Sequence, residues 1–194
     1  DLAMAYFKRA HADGVKRAEI FFDPQSHVPR GVGIALVLNG LQAAMSDAAK
    51  VFSLSSGLIL CFLRHLSADD AMATLKEALP YKDRLIGVGL DSGERGNPPI
   101  KFKDVFAQAR AEGLRAVAHA GEEGPPEYVF QALDILKVER IDHGVRSAED
   151  PALLRRLAEQ QIPLTMCPLS NVKLRVFEAL EHHNLKELLE GGLS

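Results

Sequence analysis

The stretch Leu114–Glu122, which reads LRAVAHAGE, changes from an apolar run to polar residues, and this pattern decides the fold. Its first part is a short and mostly apolar run that ends in His119, and two small residues and Glu122 follow. Short apolar runs bounded by glycine or polar residues are typical of strands buried in a parallel sheet. The stretch therefore predicts a strand that carries a polar cluster at its carboxyl end.

Amphipathic segments flank this strand on both sides, and the same alternation runs through the whole chain. The predicted strands are Ala18–Phe22, Leu58–Leu63, Leu85–Leu90, Leu114–His119, Arg140–His143 and Ile162–Met166. The predicted helices are Asp1–Ala12, Val32–Lys50, Asp69–Leu79, Ile100–Glu112, Pro126–Leu136, Pro151–Gln160 and Asn184–Glu190. Strands that alternate with helices indicate an α/β fold with a parallel sheet.

The length favours an incomplete barrel over the other α/β folds. A complete (β/α)8 TIM barrel takes about 250 residues, whereas this chain has 194 residues and six predicted strands. It begins at a predicted helix and stops where the next strand is expected, so we predict one domain over residues 1–194 with about six β/α units. An open doubly wound sheet is the alternative, but Asp23-Pro24-Gln25 follows the first strand in place of a glycine-rich phosphate turn.

The composition points to a cytoplasmic enzyme that acts on a small molecule. The formal net charge is -3 and neither sign of charge forms a block, so we expect no nucleic-acid or membrane partner. No apolar stretch approaches the roughly 20 residues of a membrane helix. Cys61 and Cys167 lack a metal-type spacing and are expected to be reduced thiols. Composition does not define the oligomeric state.

Polar residues gather where the predicted strands end, which is the face that holds the active site in barrels. They are Asp23, Arg64-His65, Asp91, His119, His143 and the run Cys167-Pro168-Leu169-Ser170-Asn171. His119 is a candidate zinc ligand, because neutral imidazole binds zinc well; a structural histidine is the alternative. Glu122 follows the flexible Gly121 and can act as a general acid, or it can simply stabilise the amino end of the next helix.

Two further strand ends have less definite interpretations. In the fifth strand, alternation places Ile141 and His143 on one face and Asp142 on the other, so His143 is either a pocket residue or a packing residue. Ser170 and Asn171 are typical turn and cap residues and are predicted to form a loop before they line a pocket. His182-His183 is expected to precede or cap the last helix.

Three motifs in this order resemble those of the adenosine and adenine deaminase family: His119-Ala120-Gly121-Glu122, Arg140-Ile141-Asp142-His143-Gly144 and Cys167-Pro168-Leu169-Ser170-Asn171. The resemblance extends over the whole chain. Phe21-Phe22-Asp23-Pro24-Gln25-Ser26-His27 and Asp91-Ser92-Gly93-Glu94 are more similar to adenine deaminases than to adenosine deaminases.

The resemblance implies a barrel in which His119 binds one Zn²⁺, Glu122 is the proton donor and His143 lies beside the metal-bound water. It implies hydrolysis of adenine to hypoxanthine and ammonia, in purine salvage. Deamination of adenosine or of an N6-substituted adenine is one alternative. A barrel-derived binding protein without catalysis is another.

The sequence also departs from this family, whose first strand carries a His-x-His pair and whose last strand carries a pair of aspartates. Neither pair is present. Catalytic zinc sites take about three protein ligands and keep an open position. We therefore expect the remaining ligands to lie outside this sequence, and the 194-residue chain alone to bind zinc weakly and not to deaminate adenine.

Overall fold

The computed structural model describes residues 1–194 and contains a six-stranded sheet flanked by helices. All neighbouring strands are parallel, and their order in the sheet is their order in the chain. The strands are β1 (Arg17–Phe22), β2 (Ser55–Leu63), β3 (Gly87–Asp91), β4 (Arg115–Ala120), β5 (Arg140–His143) and β6 (Leu164–Thr165). All six predicted strands are confirmed.

Every predicted helix is present, and one helix was not predicted. The helices are α1 (Leu2–Ala12), α2 (Ile34–Phe52), α3 (Ala68–Ala78), α4 (Lys103–Ala111), α5 (Pro126–Gln131), α6 (Pro151–Gln160), α7 (Pro168–Lys173) and α8 (Leu185–Glu190). A 3₁₀ turn at Pro99–Phe102 precedes α4, and a π-helical segment at Ala132–Leu136 continues α5. None of these helices combines the length and the apolar character that crossing a bilayer requires.

The two faces of the sheet contact different partners. In β2, Leu58, Leu60 and Phe62 belong to the large core shared with the helices, and the ring of Phe62 lies 5.9 Å from that of Phe106 in α4. Ile59 and Cys61 point to the opposite, concave face, where they meet Val117. Burial on both faces explains why this strand reads as a continuous apolar run rather than an alternating one.

The sheet curves as part of a barrel and does not close. β1 pairs only with β2, and β6 pairs only with β5. The predicted incomplete barrel of six β/α units is therefore confirmed. The carboxyl ends of all six strands lie at one end of this structure, where the predicted polar residues are found.

Candidate active site

The strand β4 brings His119 to the concave face of the sheet. Val117, two residues earlier, packs with the concave cluster, while Ala118 and Ala120 belong to the core on the helix side. The imidazole of His119 lies 5.6 Å from the ring of Phe21 in β1. The period-two alternation of the strand thus directs His119, the last residue of the predicted strand Leu114–His119, into the barrel.

Gly121 makes the sharp turn that follows β4. Its φ is +71°, in the left-handed region, and a Cβ atom at this position would lie 2.7 Å from Cγ2 of Val129. Glycine alone meets both conditions without strain. The turn places Glu122 above the strand end, where it is 9% exposed.

We expect Gly121→Ala to lower the free energy of unfolding by about 2–5 kcal/mol, since the left-handed backbone costs about 1–2 kcal/mol and overpacking about 1–3 kcal/mol. Gly113→Ala is a matched control, because Gly113 has a φ of +86° but no atom within 4 Å of the added Cβ. In this control, the free energy of unfolding should fall only by the cost of the left-handed backbone, about 1–2 kcal/mol. Urea unfolding of both variants measures the difference, and equal losses would contradict the steric argument.

Glu122 lies among polar groups at the end of the sheet. The Nδ2 atom of Asn171 donates a hydrogen bond to its Oε1 over 2.7 Å, and Nδ1 of His143 lies 3.2 Å from the same oxygen. Burial is the main reason that the pKa of Glu122 is raised to about 7, and the charges of Glu94 and Glu123 add to this effect while Asn171 opposes it. A carboxyl group with this pKa is both protonated and ionised near neutral pH, as a general acid requires.

The expected orientation of β5 is wrong. Ile141 packs in the core on the helix side, whereas Asp142 receives a hydrogen bond of 3.1 Å from Nε of Arg140 on the concave side. Alternation alone would therefore direct His143 away from the site. His143 instead has a φ of +72°, and this left-handed residue ends the alternation. Its imidazole reaches the concave side, with its centroid 4.7 Å from that of His119.

Both histidines are held in the neutral form. Burial is the largest cause that lowers the pKa of His119 to about 4, and the nearby Arg64 guanidinium contributes. Burial and then the neighbouring His119 lower the pKa of His143 to about 4 as well. Neutral imidazole has a free lone pair, so at pH 7 each ring can bind a metal ion or accept a proton.

Asn171 is a site residue that the sequence interpretation ranked as a loop residue first and a pocket residue second. It lies in α7 and not in the predicted loop, and it is fully buried. Besides its bond to Glu122, its Nδ2 lies 3.2 Å from Nδ1 of His143. Its place in the motif Cys167–Asn171 was the available signal, but the motif does not show which of its residues turns inward.

His183 determines which end of the Asn171 amide faces Glu122. Nδ1 of His183 accepts the backbone N–H of Leu185 over 3.0 Å, so the ring proton is on Nε2. This Nε2–H donates to Oδ1 of Asn171 over 3.0 Å. The amide oxygen is therefore engaged, and the NH2 group is directed at Glu122 and His143. The prediction that His183 precedes the last helix is confirmed, and this contact adds a second role.

The predicted residues share one cleft of about 330 Å³. Its lining consists of Ser92, Gly93, His119, Glu122, Glu123, His143, Ser170 and Leu174. A larger cavity of about 570 Å³ opens on the concave side near the amino ends of the strands, lined by Arg17, Glu19, Arg115 and Arg140 among others. The smaller cleft is the candidate active site, because burial there shifts the pKa values of His119, Glu122 and His143 in favour of their neutral forms.

The donors on this chain fit one ligand of a zinc site and not a complete site. His119 is buried, neutral and directed into the cleft, which suits a zinc ligand. The one group of three metal-type donors lying within 4.8 Å of one another is Asp23, Cys61 and Asp91, and it lacks His119. Burial and the adjacent Asp23 raise the pKa of Asp91 to about 8.

The family assignment follows from a match over the entire chain. The model of the adenosine deaminase family matches residues 1–194. The chain belongs to the adenosine deaminase family. This assignment confirms the resemblance drawn from the three strand-end motifs.

Curated relatives within this family are similar over the whole chain. An adenine deaminase of Paraburkholderia phytofirmans is 62% identical over 198 residues, which cover 100% of this chain and 56% of that protein. An adenine deaminase of Cupriavidus necator is 61% identical over 193 residues, which cover 100% of this chain and 55% of that protein. The chain thus spans about half the length of the curated relatives it matches.

Solved structures of the family agree with the fold. An adenine deaminase from Arthrobacter aurescens superposes with a TM-score of 0.97 at 48% identity, covering 100% of this chain and 59% of that one. An amidohydrolase from Burkholderia ambifaria with bound Zn gives a TM-score of 0.92 at 32% identity, covering 98% of this chain and 54% of that one. The six β/α units therefore correspond to part of a longer chain in each of these structures.

Proposed function

We propose that this chain supplies the proton-transfer half of an adenine deaminase, which hydrolyses adenine to hypoxanthine and ammonia. The observation that carries the proposal is Glu122, whose pKa is raised to about 7 and whose Oε1 lies 3.2 Å from the neutral His143 in one cleft. Relatives about 60% identical over the whole chain are named adenine deaminases, and this supports adenine as the substrate.

Glu122 and His143 can together move the protons that the hydrolysis requires. Glu122 protonates N1 of the purine, which makes C6 more electrophilic. A water molecule attacks C6, and His143 accepts one of its protons and passes it to the amino group. Ammonia then leaves as the C–N bond breaks. The proton of the new hydroxyl group returns to Glu122, so that hypoxanthine forms and both residues regain their initial states.

Asn171 and His119 have distinct roles in this scheme. Asn171 holds the carboxyl group of Glu122 through its 2.7 Å hydrogen bond, which keeps the acid aligned with the purine ring. His119 supplies one ligand for zinc, with the other ligands outside these residues. Zinc, when bound, would act as a Lewis acid and make water nucleophilic at neutral pH.

A chimeric enzyme tests the proposal. These 194 residues are joined to the remaining part of the Paraburkholderia phytofirmans adenine deaminase, of which they correspond to 56%; we call this protein the completed chain. Purified with zinc, it should convert adenine to hypoxanthine with stoichiometric ammonia. Adenosine and N6-methyladenine are assayed beside adenine. Faster turnover of adenosine than of adenine would indicate an adenosine deaminase instead. A folded, zinc-loaded protein without turnover would favour the binding protein without catalysis.

The pH profile of the completed chain should show the ionisation of Glu122. This group must be protonated to donate, and its pKa in the free protein is about 7. As far as Glu122 controls it, kcat/KM for adenine should not change with pH below pH 7 and should fall about tenfold per pH unit above pH 7. Steady-state rates between pH 5 and pH 9 measure this, and a kcat/KM that already falls about tenfold per pH unit from pH 5 upward would contradict the assignment.

A further inference from the structure

Glu94 lies beneath the loop that carries Glu122 and makes an unusual set of contacts with its backbone. Its Oε1 accepts the N–H of Gly121 over 2.6 Å. Its Oε2 accepts three more N–H groups, from Glu122 at 3.0 Å, Glu123 at 2.8 Å and Gly124 at 2.8 Å. One carboxylate thus binds four successive backbone amides, and we call these four N–H groups the amide cradle.

The amide cradle stabilises the buried carboxylate of Glu94 by hydrogen bonding. The side chain is 2% exposed, and no lysine or arginine forms an ion pair with it. The guanidinium group of Arg64, which interacts with Glu94 through its charge, donates its hydrogen bonds instead to the carbonyl groups of Asn97 and His119. A buried carboxylate requires such compensation, and successive amides that converge on one point form an anion-binding concavity.

We propose that Glu94 is a positioning residue for Glu122, and this inference rests on the proposed function. The backbone N–H of Glu122 and those on both sides of it are all bonded to Glu94. Without these bonds the four N–H groups of the loop after Gly121, whose φ is +71°, lose their acceptor. The loop then keeps only the hydrogen bonds that Arg146 donates to the carbonyl groups of Gly121 and Glu123. The direction of the Glu122 side chain toward the cleft then depends only on its contacts with Asn171 and His143.

This arrangement predicts that a free carboxylate can replace the side chain of Glu94. Glu94→Ala leaves the amide cradle empty, with space in the protein for formate or acetate. In the completed chain, we expect kcat for adenine to fall about 10²-fold, the usual cost of misplacing a reacting group by an ångström. Adding formate or acetate should restore part of this loss, while chloride at equal ionic strength should not. A loss that carboxylates do not restore, in a folded protein, would overturn the proposal.

Two further variants separate positioning from general damage. Glu94→Gln retains the shape and one carbonyl oxygen, and it should lose less activity than Glu94→Ala. Glu127→Ala removes an exposed carboxylate from the first turn of α5, and it should keep its activity and show no response to formate.

Hydrogen exchange provides a readout that does not depend on deamination. In the 194-residue chain, the amides of Gly121, Glu122, Glu123 and Gly124 should exchange faster in Glu94→Ala than in the parent, and formate should slow them again. If the parent completed chain fails to deaminate adenine, the proposed function fails, but this measurement still tests the cradle. Unchanged exchange at these four amides would refute the role of Glu94.

Discussion

Replacing Glu122 with glutamine should lower kcat/KM of the completed chain for adenine by about 10²- to 10⁴-fold, the usual contribution of a positioned general acid. Glutamine has the shape of glutamic acid and can still accept a hydrogen bond from Asn171 through its Oε1. The substitution therefore removes the transferable proton and preserves most of the packing. Measured kcat and KM should separate these effects, with most of the loss in kcat.

The same variant has a second signature in its pH profile. Because the pKa of Glu122 is about 7, the fall in kcat/KM above pH 7 should disappear in Glu122→Gln. Glu127→Gln, at an exposed position in α5, controls for a change of one charge near the loop and should retain the parent profile. If Glu122→Gln kept more than half of the parent activity, Glu122 would not be the proton donor.

The strands could be predicted because a buried strand consists of apolar residues, which are visible in the sequence. A strand covered on both faces must be apolar along its length, and Leu58–Leu63 satisfies this requirement from sequence alone. Strand boundaries shifted by one to three residues, as for Ser55–Leu63, since hydrogen bonding extends into residues that are not buried. Local composition contains no information about that extension.

The site was less predictable, because its geometry depends on contacts between distant residues. His119 and Glu122 lie in one short motif, and their positions follow from a strand and a glycine. His143 reaches the site through a left-handed backbone that simple alternation does not foresee. Asn171 and Glu94 contact the loop across 49 and 28 residues of sequence. No periodicity relates residues at such separations.

The 194-residue chain alone, supplied with zinc, should release no ammonia from adenine above a buffer blank. Enzymes accelerate their reactions by roughly 10⁶-fold or more, and in the proposed mechanism the acceleration depends on zinc and Glu122 acting together. The described residues provide Glu122 and His143 in one cleft, so both of the proposed proton-transfer groups are in place. They provide His119 as an imidazole directed into the cleft, but His119 belongs to no group of three metal-type donors lying within 4.8 Å of one another.

Zinc titration followed by calorimetry should therefore show only weak binding by the chain, and His119→Ala should weaken it further. The completed chain, with its remaining ligands, should bind zinc far more tightly and turn over adenine. Comparing the two proteins separates the contribution of the metal from that of proton transfer. Turnover by the chain alone would contradict the prediction, because it would mean that one imidazole, or the Asp23–Cys61–Asp91 group, suffices to activate water.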